Sequence, residues 1–504
     1  MATTRSLKDL PLEVLEHIVS YLPLNDRKSV SLVCRALNSV TFSRRFLKDV
    51  TLYLDTTWNR SMVDCLRTST RRYRNIYVFS LSDTLSQYNF AFIVEMLDRF
   101  GLELESFHCN TKLSGKQLWN VINRVPNILE LIVEIDATNL KHWQSFPALR
   151  QLRHLESVNN VLQIRSLDMP KLTRLTANFG TSSDTVESID VLRRITPQLR
   201  SLELVSKKSF SSIDELRCPK VEVLKLSGQI CRGSERAVLT FFGGFKCLKD
   251  VRLDFDVKHV VLDVITQACP RIEHLHFKSQ HLESDTFQLL ERLKNLKTLS
   301  ISGSIDYRII LKCKPLVSVT HFCFSLVILN DETRIFNGLK QMLPNVVDLT
   351  ITLTAPDRQD SVLVHACQTF PHIRRLAIFD AAFFLRTLTD TTFQHLRSLN
   401  RLEELKLESV LVAVEYMQPI ERLKRLECHF HSMTDGELLM LADLYPNLKY
   451  LGLSWCENVT ANGVGKFRER LPGCVVQFVC VSGEFFAPMV LCHPRHLECH
   501  CHTR

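Results

Sequence analysis

Glycine and proline are scarce in this chain, 15 and 17 among 504 residues, which argues against long flexible linkers. No apolar run reaches the roughly 18 residues that a membrane-spanning helix needs. The nearest, PLVSVTHFCFSLVIL, is too short and contains His321. The opening MATTRSLKDL has no hydrophobic segment able to serve as a signal peptide. An excess of one charge is missing as well. Sixty-three basic residues face 54 acidic ones, and the net charge of +9 is spread over the whole length, far below the basic excess of a nucleic-acid-binding domain. One local cluster, Arg67, Arg71, Arg72 and Arg74, has phosphate-binding chemistry, but a solvated basic face is the simpler reading. Catalytic signatures are absent too: there is no H-E-x-x-H, no G-x-S-x-G and no kinase set, and GVGKF at 463–467 lacks the spacing of a phosphate loop.

What is present is globular material. Apolar residues make up 45% and charged residues 23%, enough for a large core and incompatible with overall disorder. The 17 cysteines are odd in number and scattered through apolar runs such as RLECHF and THFCF. That pattern indicates reduced, buried thiols. A soluble protein of cytoplasm, nucleus or both is expected, with the sequons at Asn59 and Asn458 as chance matches.

A repeat fills most of the chain. PNILELIV, PKLTRLTA, PQLRSLEL, PKVEVLKL, PRIEHLHF, PNVVDLTI, PHIRRLAI and PNLKYLGL share the template P-x-L-x-x-L-x-L, and CLKDVRL, NLKTLSI, VTHFCF, RLEELKL and RLKRLEC match it without the proline. Anchored on the second apolar position, the series runs Leu131, Leu152, Leu175, Leu202, Leu224, Val251, Leu275, Leu299, Phe322, Leu349, Leu376, Leu405, Leu426, Leu451, with spacings of 21 to 29 residues. Leucine-rich repeats have this period. Alternation within each copy reads as a short strand, and segments such as TDGELLMLADLYPN read as capped returning helices. One such unit cannot bury its apolar face, whereas stacked units share a core. The expected fold is an α/β leucine-rich-repeat solenoid over residues 47–482, with a curved parallel sheet inside and helices outside. An all-α segment at 5–46 precedes it, and a Cys/His-rich tail at 483–504 follows.

That first segment begins LPLEVLEHIVSYLPL. At ~100° per residue, Leu12, Val14, Leu15, Ile18, Val19, Tyr21 and Leu22 cover an arc of roughly 180°, wider than packing on one small core requires. Pro23 ends this helix, and Asn25 with Asp26 can cap a second through DRKSVSLVCRALNSVTF. A unit of this size buries little surface and needs outside support. Its wide apolar arc therefore predicts a partner, although a hairpin that merely caps the repeats is the alternative.

Leu10-Pro11, Glu13-Val14-Leu15, Ile18, Tyr21-Leu22-Pro23, Asp26 and Val33-Cys34-Arg35 resemble the F-box motif. With the repeats, and with LKYLGLSWCENVTANGV similar to a cysteine-containing repeat, the whole chain resembles the F-box and leucine-rich-repeat proteins. The resemblance implies a non-catalytic substrate-recognition subunit of a Skp-cullin-F-box (SCF) ubiquitin ligase. In that arrangement the F-box docks on a Skp-type adaptor and, through it, a cullin, while the repeats hold a protein substrate. Carried over by position, the adaptor-facing candidates are Leu10, Pro11, Val14, Ile18, Leu22, Val33 and Cys34. Leu37 departs from the family, which often has tryptophan there. The alternative function is a leucine-rich-repeat interaction scaffold with no ligase role.

Side chains between the buried strand positions face the concave surface. Lys225, Arg252, His276 and Lys278 form a mostly basic group suited to an acidic or phosphorylated segment, although an ordinary solvated surface explains them too. Trp455, just past a strand, is a second binding candidate, with packing under the following loop as its alternative. The tail holds Cys492, His493, His496, Cys499, His500, Cys501 and His502. These are ligands fit for zinc, but without a paired C-x-x-C a loose tail is expected and no metal or cofactor is assigned.

Overall fold

The computed structural model describes residues 10–478 apart from 23, 56–59, 70, 81–84, 136–146, 159–167, 180–185, 207–212, 229–234, 281, 283–284, 304–306, 311, 327–331, 354–358, 381–387, 430–432, 455 and 457. Trp455 and the Cys/His-rich tail lie outside the described residues.

Four short helices come first: α1 (Leu12–Ser20), α2 (Leu24–Ser31), α3 (Arg35–Thr41) and α4 (Arg44–Leu47). Leu15, Val19, Leu37, Val40 and Phe46 form their sealed core, with Leu10, Val30, Cys34 and Ala36 packed against it. The single second helix expected through DRKSVSLVCRALNSVTF is broken into α2 and α3. Cys34 is extended, with φ −157°, and its Sγ accepts the Leu37 backbone N–H at 3.5 Å, so it caps α3 where a continuous helix would have run.

The chain then forms two compact units, the first reaching Val221 and the second continuing from Gly233, with residues 222–232 divided between them. The first contains β1 (Thr51–Asp55), β2 (Asn75–Phe79), β3 (Ser106–Leu113), β4 (Glu130–Ile135), β5 (His154–Val158), β6 (Arg174–Asn178) and β7 (Ser201–Val205). Each strand pairs in parallel with the next. The second carries β8 (Val223–Ser227), β9 (Asp250–Asp256), β10 (His274–Ser279), β11 (Thr298–Gly303), β12 (His321–Leu326), β13 (Asp348–Leu353), β14 (Arg375–Asp380), β15 (Glu404–Leu411), β16 (Arg425–His429), β17 (Tyr450–Ser454) and β18 (Val475–Phe478). These too are parallel in chain order. Returning helices such as Gly115–Arg124, His259–Ala268 and Asp435–Leu444 bury one face each. Each unit is a parallel α/β solenoid, the architecture the repeat predicts.

The template explains the core. Its second and third apolar positions form continuous buried rows, for example Leu275, Leu299, Phe322, Leu349, Leu376 and Leu405, then Phe277, Ile301, Phe324, Ile351, Ile378 and Leu407. Each such side chain contributes about 1.5–3 kcal/mol on burial. Its first apolar position, Ile128, Leu172, Ile272 or Leu448, is buried beneath the turn that enters the strand. One anchor is corrected. Leu155, not Leu152, stands beside Leu131 and Leu175 in the row. Leu152 occupies the first position of its repeat, where its N–H bonds to the Leu149 carbonyl at 3.1 Å. The run L-x-x-L-x-x-L offers two registers three residues apart, and the strand takes the later.

Polar pins join successive repeats on the helical side. Asp435 Oδ1 accepts the Thr460 backbone N–H at 2.8 Å and Oδ2 accepts its hydroxyl at 2.6 Å. Asp360 likewise accepts the Thr389 N–H at 3.1 Å. Gly303 leaves β11 with φ 148°, a conformation that side chains disfavour. Among the described residues, no helix is long and apolar enough to cross a membrane.

Candidate functional site: an apolar stripe on the first helix

The two halves of the α1 arc separate cleanly. Leu15 and Val19 point into the helical core. Pro11, Val14, Ile18 and Tyr21 recur at three- and four-residue intervals and are exposed. Tyr21, 74% exposed, is held by His17: the rings meet edge to face at 5.0 Å, and the hydroxyl lies 3.3 Å from His17 Nε2. The break between α2 and α3 adds Leu32 and Val33, 86% and 71% exposed. Water-facing leucine, valine, isoleucine and tyrosine side chains in such number on a unit of this size are what an interaction surface needs.

The seven adaptor-facing candidates therefore fall in two groups. Pro11, Val14, Ile18 and Val33 are exposed, and Leu22 is half-buried. Leu10 and Cys34 pack against the helical core, Cys34 also serving as a cap. Tyr21 and Leu32 are exposed but were not among the candidates. Tyr21 was legible as the next step of the Val14–Ile18 stripe; Leu32 became visible only with the break after α2. Leu37 is a core residue rather than a surface one.

The helical segment is fastened to the first repeats. Glu103 receives Arg44 at 3.4 Å and Arg72 at 2.8 Å, the Arg71 guanidinium lies 3.4 Å above the Phe42 ring, and Asn75 Nδ2 donates to the Lys48 carbonyl at 2.7 Å. Arg67 pairs with Glu95 at 2.8 Å and Arg74 with Glu105 at 2.8 Å. The arginine cluster is thus spent on internal pairing and stacking, not presented as a bare phosphate site.

In the second unit, Lys225, Arg252 and His276 share one row of the sheet's open face, with Lys278 two residues beyond His276. Asp254 sits among them. It lies 3.0 Å from Arg252 Nε, 3.3 Å from Lys278 Nζ and 3.3 Å from His276 Nε2, while His276 Nδ1 meets Ser300 Oγ at 2.6 Å. Burial pushes the Asp254 carboxyl up, but the close approach of His276, Arg252 and Lys278 outweighs it and holds it far below the usual carboxylate range. The group is basic by composition and partly neutralised by geometry. No cluster of three or more His, Cys, Asp or Glu side chains suited to a metal occurs among the described residues.

A family model described as F-box-like matches residues 7–53. No curated protein matches the chain. Among solved structures, a chain in the crystal structure of the Rad7 and Elc1 complex in yeast is similar at 14% identity, covering 92% of this chain and 90% of that one, with a TM-score of 0.29. The chain therefore carries an F-box-like domain at its start.

Proposed function

We propose that this protein is a substrate-recognition subunit of an SCF ubiquitin ligase. The F-box-like domain docks on a Skp-type adaptor and through it on a cullin, and the repeats hold a protein substrate for ubiquitination and degradation. The observation that carries the reading is the exposed Pro11, Val14, Ile18 and Tyr21 stripe on a helix whose other side closes the domain core, inside the segment that matches the F-box-like family. On this reading the chain is non-catalytic, the transfer chemistry lying in other subunits, and it works in cytoplasm, nucleus or both.

The test is a pull-down of the full-length chain beside a version lacking residues 1–46, with adaptor and cullin detected in each. Both partners are expected with the full chain alone. If neither appears with either form, the protein is a repeat scaffold with no ligase role.

A further inference from the structure

The strand entries near the end of the second unit are basic. PHIRR, NRLEE, ERLKR and PNLKY lead into β14, β15, β16 and β17, and register sets their last residues, Arg375, Glu404, Arg425 and Tyr450, side by side. Part of the charge is paired: Arg375 with Asp348, Arg425 with Glu427 at 3.0 Å, and Lys424 with Glu403 at 3.1 Å. Arg374, Arg401, Arg422 and Lys449 are exposed, and among the described residues their side chains have no hydrogen-bonding or ion-pairing partner. The four segments hold seven basic and three acidic side chains. With Asp348 and Glu427 included, seven cations against five carboxylates leave an excess of two positive charges.

A cavity of about 440 Å³ opens on the same strands. Its floor dips where Ala377 stands between Thr350 and Lys406 in the row, and Arg375, Glu404 and Arg425 line it on the side of the strand entries. The cationic edge and the cavity therefore meet. The Arg252 and Lys278 group, by contrast, encloses a carboxylate of its own, Asp254.

We infer that this edge and its cavity receive an acidic segment of a protein substrate, a run of about four or five residues rich in aspartate and glutamate. The inference rests on the receptor reading above and specifies its substrate. Charge complementarity selects the class, since guanidinium and ammonium groups give carboxylates charge-assisted hydrogen bonds. The spread of the cations selects several carboxylates over a single phosphate. Arg374, Arg401, Arg422 and Lys449 enter four adjacent strands, three spacings or about 14 Å at ~4.8 Å each, which an extended chain covers in about four residues. Successive side chains of such a segment point to opposite sides. That suits cations on two levels: Arg374 and Lys449 directly before their strands, Arg401 and Arg422 on the turns.

The probe is a fluorescein-labelled nonapeptide with five central glutamates between serines, titrated with the full chain by fluorescence anisotropy. A peptide with glutamines in their place and a single-stranded oligothymidylate of similar length are titrated beside it. The glutamate peptide is expected to bind roughly tenfold more tightly than the glutamine peptide, and more tightly than the oligothymidylate. Arg401→Glu combined with Arg422→Glu should remove that advantage. The same change of charge on the helical side, Lys340→Glu with Arg397→Glu, at exposed positions of the helices Glu332–Met342 and Asp390–Arg397, should keep it. Thermal unfolding checks that each variant is folded, and the double glutamine variant at Arg401 and Arg422 serves where the double glutamate one is not. Equal affinities for the two peptides, an advantage that survives substitution at Arg401 and Arg422, an equal loss in the helical-side variant, or tighter binding of the oligothymidylate overturns the inference. Loss of adaptor capture with this preference intact overturns the ligase reading alone.

Discussion

Val14 and Leu15 are neighbours in α1, yet Leu15 is 2% exposed within the helical core and Val14 is 40% exposed on the opposite side of the apolar arc. A helix that buries one apolar stripe and displays another serves two surfaces. Substitutions at these two positions should therefore separate folding from docking.

Val14→Asp is expected to abolish adaptor capture while shifting thermal unfolding little, because the new charge is solvated in the free protein. Leu15→Ala should cost about 2–5 kcal/mol of local stability, as truncations in a sealed core do. Parallel pull-down and unfolding measurements on both variants check this. If Val14→Asp retains full adaptor binding, the docking surface lies elsewhere.

Gly303 is the second test of packing. A Cβ there would be driven into the backbone carbonyl of Ser279, and φ 148° is already a conformation that an L side chain rarely adopts. Gly303→Ala should destabilise the second unit by roughly 1–3 kcal/mol or more, the cost of strained backbone plus the shift needed to relieve the clash. Denaturant titration measures it; an unchanged midpoint would show that this strand end relaxes freely.

Cysteine reactivity follows burial. Among the described cysteines, Cys218, Cys269 and Cys367 are buried, and desolvation pushes each thiol up to about 12, while Cys65 is exposed. Native-state alkylation at neutral pH, mapped peptide by peptide, should modify Cys65 well before those three, since the thiolate is the reacting form. Rapid modification of Cys218 would mean that its repeat opens readily.

Why some of this could be read from sequence and some could not comes down to range. The repeat is a local pattern, so proline, leucine and alternation revealed the strands and the rows they build. The α1 arc was equally local, and its excess width already implied two faces. The α2–α3 break depends on Cys34 taking an extended conformation, which no periodicity encodes. The β5 anchor was ambiguous because Leu152 and Leu155, three residues apart in one leucine run, can each take the second apolar position. The basic group at Arg252 and Lys278 was legible, but its neutralisation was not. The register between β9 and β10 shifts after Phe277, which pairs Lys278 with Asp256 and leaves Asp254 an irregular position among the cations.

That position makes Asp254 pH-sensitive in a definite sense. Its pKa in the folded chain lies below the ordinary value of 3.8, so its contribution is fully present above the ordinary value. The contribution fades as pH falls from there toward the folded-state pKa, where protonation breaks the pairing with Arg252 and Lys278. Asp254→Asn should lower the unfolding midpoint at pH 7, because two cations are left facing each other without the carboxylate. The gap between the two proteins should narrow as pH is taken from about 4 to 2, since the unfolded chain's carboxyl takes up its proton there while pairing in the folded chain still resists it. Lys278→Met isolates the same interaction from the other partner: it should be milder than Asp254→Asn at pH 7, as Arg252 still holds the carboxylate at 3.0 Å. A gap that stays constant across this range would mean that Asp254 acts through packing or hydrogen bonding that survives protonation.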